Sequence, residues 1–125
     1  LFIEGHPILW AGPVKNWINA CDRIISMEVD FVVPGHGPVT DNRGVKAVRD
    51  YLVYIDTESR KRFDSGMSAL ETSKEIDLDL FSTWGDAERI AVNVNSLYRE
   101  YKGEEKREEI TLLFQQMAEL SGIDE

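Results

Sequence analysis

Two short stretches of this 125-residue chain carry a strand signal, and both lie before residue 34. Leu1-Phe2-Ile3 is an apolar run that ends at Gly5-His6-Pro7, and Val29-Asp30-Phe31-Val32-Val33 is β-branched and aromatic and stops at Pro34-Gly35. Two strands do not make an independently stable sheet without neighbours. The expectation is a sheet edge whose partners are earlier residues of a longer chain or a second copy of this one. The chain also starts at Leu1 inside the first strand, with no polar lead-in, which reads as a piece of something longer.

The remaining sequence reads as helix. After Gly12-Pro13, Val14, Trp17, Ile18, Cys21, Ile24 and Ile25 recur at helical spacing, and proline suits a helix start because its missing N–H would be unpaired there. A second helix is expected from Thr40 or Asp41, either of which can cap it, to about Arg62, with Val45, Val48, Leu52 and Ile55 on one face. Ser68-Ala69-Leu70-Glu71 matches a capping box and predicts a short helix to about Glu75. Residues 76–85 read as a loop folded onto the body. Asp86 is expected to open a helix carrying Ile90, Val94, Leu97 and Tyr101 and ended or bent by Gly103. A last helix is expected to hold Ile110, Leu113, Phe114, Met117 and Leu120, with Glu104 and Glu105 favourably near its positive end. The alternating charges of residues 99–109 read as an exposed, ion-paired helix face.

Fourteen Lys and Arg against twenty-three Asp and Glu give a net charge of −9, so a phosphate backbone or an anionic membrane surface would meet a repulsive field. Neither nucleic acid nor membrane is expected as a partner. The longest uncharged stretch, residues 5–14, is about half of the roughly 20 residues a membrane helix needs and is broken by glycine and proline. The one cysteine, Cys21, offers no intrachain disulfide, which fits a reducing, cytoplasmic setting.

The sharpest chemical feature is Pro34-Gly35-His36-Gly37-Pro38, directly after the second strand. Glycines on both sides of a histidine at a strand end allow a fold to hold an imidazole at a fixed point in a cleft; an ordinary Gly/Pro turn that contains a histidine is the competing reading. His6, in Gly5-His6-Pro7, lines the same edge of the expected sheet or is a surface turn residue. Asp77 and Asp79 lack the glycine and distal glutamate of a calcium loop and read as solvated acids. Asp56 and Glu58, followed by Arg60, Lys61 and Arg62, read as a helix ending with cations at its negative end. Cys21 reads as a small inert hydrophobe, and the tryptophans and tyrosines as core.

Phe31-Val32-Val33-Pro34-Gly35-His36-Gly37-Pro38 resembles the strand-loop of metallo-β-lactamase-fold hydrolases, the glyoxalase II-like branch in particular. In that family this histidine is a metal ligand. Leu1-Phe2-Ile3 looks like the strand after the family's metal-bridging aspartate, residues 17–25 look like the helix between two ligand-bearing segments, and residues 84–100 look like part of its helical C-terminal region. The resemblance is strong over about the first 60 residues. The family's main signature, His-x-His-x-Asp-His, is absent, because His6 and His36 are the chain's two histidines, and the bridging aspartate would fall just before Leu1.

The resemblance implies an α/β fold: residues 1–64 as the C-terminal portion of the metallo-β-lactamase αββα fold, with two short strands and helices, and residues 65–125 as a mostly helical extension. It implies a C-terminal fragment of a hydrolase using zinc, or else iron or manganese, on an ester, thioester or lactone, with His36 as one metal ligand. A catalytic zinc site takes about three protein ligands, so the chain alone is expected to be inactive and metal-free. The alternative is a non-catalytic helical module that docks or homodimerises through the sheet edge and its apolar helix faces.

Overall fold

The computed structural model describes residues 1–10, 12–103 and 110–122. Five α-helices dominate it: α1 (Val14–Ser26), α2 (Asn42–Asp64), α3 (Ala69–Glu75), α4 (Ile90–Lys102) and α5 (Ile110–Ser121), with short 3-10 turns at Asp79–Phe81 and Ala87–Arg89. No helix among the described residues is long and apolar enough to cross a membrane.

The expected α/β fold is not what forms. Among the described residues there is no sheet, only isolated bridges: Phe2 with His36 and Gly5 with Gly85 in parallel, and Val32 with Thr40 antiparallel. The reason lies in pairing. Segment 1–3 bonds to the His36 turn and segment 29–33 to residue 40, so the two strand-like runs do not pair with each other and each lacks a second neighbour. Phe31 and Val33 are left 77% and 79% exposed. Neither an αββα arrangement nor an α/β class describes this chain; it is a helical protein.

The helices follow their sequence signals closely. Pro13 precedes α1, whose buried Val14 and Cys21 and half-buried Trp17, Ile18, Ile24 and Ile25 form one stripe. Asp41, not Thr40, caps α2: its backbone is extended and its carboxylate accepts the Arg43 N–H at 2.9 Å. From there Val45, Val48, Leu52 and Ile55 are buried at helical spacing, with Tyr51 and Ser59 beside them, and α2 runs two residues beyond Arg62 to Asp64. Ser68 Oγ accepts the Glu71 N–H at 3.2 Å and starts α3. Asp86 does not cap a helix; it sits in the left-handed region at φ 63°, and a 3-10 turn intervenes before α4.

α4 is the central helix. Ile90, Ala91, Val92, Asn93 and Val94 are consecutive buried residues, followed by Leu97 and Tyr98, so the helix is covered on nearly all sides over its first turns. The main core joins its Ile90, Val94 and Leu97 to the buried face of α2, to Cys21 of α1 and to Ile3 and Leu9 of the N-terminal segment. A smaller cluster sets Leu113 and Met117 of α5 on Ala91 and Val92, whereas Phe114, expected with them, is left exposed. Residues 76–85 fold onto the body through Ile76 and Phe81, and Phe81, Trp84 and Tyr51 form an aromatic group with centroid separations of 4.9 to 5.4 Å. Glu104, Glu105, the charge alternation beyond residue 103 and the packing of Ile110 lie outside the described residues.

Candidate functional site

His36 is held by its main chain. Its N–H donates to the Leu1 carbonyl at 3.2 Å and its carbonyl accepts the Ile3 N–H at 2.9 Å. The next residue, Gly37, has φ +98°, and a side chain there would overlap the Ile3 carbonyl oxygen, so glycine is required for the loop to approach segment 1–3 this closely. The His36 ring is exposed and stacks on Phe2, with centroids 4.4 Å apart and planes 4° from parallel. The Arg89 guanidinium lies 5.1 Å from the centroid of the same Phe2 ring, pairs with Asp86 at 3.5 Å and donates to the His6 carbonyl at 2.9 Å. The imidazole is thus presented to solvent from a backbone fixed on both sides.

His6 is neither a surface turn residue nor a group at an open edge. It is fully buried. Its Nδ1 lies 2.9 Å from the Tyr51 hydroxyl, and that hydroxyl accepts from Asn93 Nδ2 at 3.0 Å. With its oxygen accepting from an amide, the hydroxyl proton is directed to His6 Nδ1, which makes Nδ1 the acceptor and leaves the ring proton on Nε2. Nε2 has no hydrogen-bond partner among the described residues, and the ring meets Trp84 edge-on at 6.0 Å. Burial, and secondarily the Arg89 charge, push the His6 pKa down to about 4, while Asp86 pulls weakly the other way. Burial also raises the Tyr51 hydroxyl well above the usual range.

Asn93 completes the unit. Its Nδ2 also reaches the Pro7 carbonyl at 2.9 Å, and its Oδ1 accepts the Leu9 N–H at 2.8 Å. Sequence reasoning missed both Asn93 and the partnership with Tyr51. The available signal was Asn93 itself, an amide between Val92 and Val94 in an otherwise apolar run, since a buried amide must find partners.

The other acidic and thiol candidates are accounted for locally. Asp77 accepts the Asp79 N–H at 2.9 Å and opens a 3-10 turn. Asp56 accepts from the Tyr101 hydroxyl at 2.5 Å; burial first, and this bond second, raise that phenol. Glu58 pairs with Lys61 and Arg62. Cys21 is buried, and burial followed by the adjacent Asp22 carboxylate pushes its thiol up, away from the reactive thiolate.

No group of three or more His, Cys, Asp or Glu side chains among the described residues is placed to hold a metal ion. One exposed imidazole does not form a zinc, iron or manganese centre, so the described residues do not by themselves fit that cofactor. Compared with known proteins, the chain matches no family model, no curated protein and no solved structure.

Proposed function

We propose that this chain is the C-terminal segment of a cytoplasmic, metal-dependent hydrolase of the metallo-β-lactamase superfamily, acting on a small ester, thioester or lactone, and that His36 is one ligand of a zinc ion whose other donors lie outside these residues. The observation that carries the reading is the His36 presentation: a solvent-facing imidazole on a loop whose N–H and carbonyl are both bonded to segment 1–3. A metal ligand has to be held before the ion arrives, and this one is fixed by its backbone and by the Phe2 stack. The exposed Phe31 and Val33 add support, because neighbouring apolar side chains left in water mark a surface that another segment can cover.

The test is made in the longer gene product. His36→Ala should lower zinc stoichiometry and esterase turnover, while the melting temperature of the 125-residue chain changes little because the ring is exposed. Unchanged zinc content and turnover would overturn the assignment. The same exposed Phe31 and Val33 favour a second reading, a non-catalytic module that self-associates. Sedimentation of the chain over a range of concentrations decides it: a monomer throughout rejects that reading.

A further inference from the structure

Away from His36, the junction of α2 and α3 faces α4 and α5 across a cavity of about 510 Å³, within the size range of small-molecule sites. Phe63, Met67, Leu70 and Leu113 supply apolar wall, and Asn95, Gln116, Arg99 and Lys102 supply the polar part. The wall between α4 and α5 is tied: Asn95 Nδ2 donates to Gln116 Oε1 at 2.8 Å and to the Ala91 carbonyl at 2.7 Å. That leaves the Gln116 Nε2 donor without a hydrogen-bond partner among the described residues.

Charge and position together mark this cavity: Lys15 and Arg23 also make no ion pair among the described residues, but neither lines it. The chain has nine more carboxylate side chains than cationic ones, and every Lys and Arg from residue 43 to residue 89 pairs with a carboxylate. Arg99 and Lys102 make no ion pair among the described residues, although acids are in surplus. They stand three apart on α4, on one face, and both line the cavity. Two cations without an ion pair and an amide donor without a partner, each among the described residues, stand beside an apolar wall and suit a molecule with an acid at one end and hydrocarbon at the other.

We propose that this cavity binds a small amphiphilic anion, a carboxylate on an apolar chain, with Arg99 and Lys102 on the acid group and Phe63, Met67 and Leu70 along the chain. The site lies apart from His36 and stands whether or not the hydrolase reading holds.

Decanoate titrated into the isotopically labelled full chain, followed by amide NMR, tests this. Saturable shifts are expected at residues 67–70 and in the Asn95 and Gln116 side-chain amides. The double substitution Arg99→Gln, Lys102→Gln should weaken decanoate about tenfold or more, as the loss of charge-assisted hydrogen bonds does, whereas Arg99→Lys should retain most of the affinity. Decanol, which keeps the chain and lacks the charge, should bind about tenfold more weakly. Shifts centred on Phe31 and Val33, equal affinity for decanol, indifference to the double substitution, or no saturation by millimolar decanoate would each overturn the proposal.

Discussion

Lowering the pH should strip stability from this protein through His6 in particular, and the size of the effect can be worked out. The imidazole is fully buried, accepts from Tyr51 through Nδ1 and has a pKa lowered from 6.5 to about 4. Unfolding returns it to the ordinary value, so between those values the unfolded chain binds a proton that the folded chain refuses. The stabilisation is complete above about pH 6.5, falls as the pH drops, and is fully lost below about pH 4. Between about pH 7.5 and about pH 4.5 the loss from this one group is about 2–3 kcal/mol. Carboxylates titrate in the same window, so the comparison has to be made against His6→Asn. Asparagine keeps an acceptor near the Nδ1 position for the Tyr51 hydroxyl and does not titrate. Urea unfolding followed by circular dichroism across this range should show the wild type losing about 2–3 kcal/mol more than His6→Asn. Parallel stability curves, with a gap that changes by less than about 0.5 kcal/mol, would refute the argument. An NMR titration in which the folded His6 ring protonates near its ordinary value would refute it as directly.

Two further perturbations follow from the same geometry. Tyr51→Phe removes the hydroxyl shared by His6 and Asn93 and leaves a buried ring nitrogen without its donor, so thermal and urea unfolding should show a loss of about 1–3 kcal/mol, and nitrogen NMR should show the His6 tautomer no longer confined to Nε2–H. Gly37→Ala forces a methyl group onto the Ile3 carbonyl at a positive φ, so hydrogen exchange at the Ile3 and His36 amides should speed up by tenfold or more while the amides of α2 remain protected; unchanged exchange at both would show that the contact is not binding the loop.

The helices were legible because their signals are local. Ser68 three residues before Glu71, Asp41 before the run from Val45 to Ile55, and Gly103 after α4 each act within one or two turns, and the structure uses them as the spacing suggests. The α/β expectation failed because strand-forming residues state a preference that only neighbouring strands can satisfy. Val29 to Val33 carries that preference, yet one bridge at Val32 is all the pairing available to it. His6 was misplaced for a related reason. Gly5-His6-Pro7 has the composition of an exposed turn, and its burial depends on Tyr51 and Asn93, 45 and 87 positions away, of which the local sequence carries no trace. The Gly-His-Gly pattern marks His36 as lying on a turn, but the Phe2 stack beside it becomes visible only once residues 2 and 36 are brought together.

The fastening of the first ten residues to α4 has a consequence for biosynthesis. Asn93 takes hold of Pro7 and Leu9, Arg89 of the His6 carbonyl and Ser96 of the Leu9 carbonyl, contacts that span up to 87 positions. As the polypeptide leaves the ribosome, residues 6–9 lack these partners until α4 has emerged, a wait on the order of ten seconds at ordinary elongation rates. During that interval Leu9 and the neighbouring apolar side chains stand in water. Synthesis of α4 therefore decides when residues 6–9 become safe from aggregation and proteolysis.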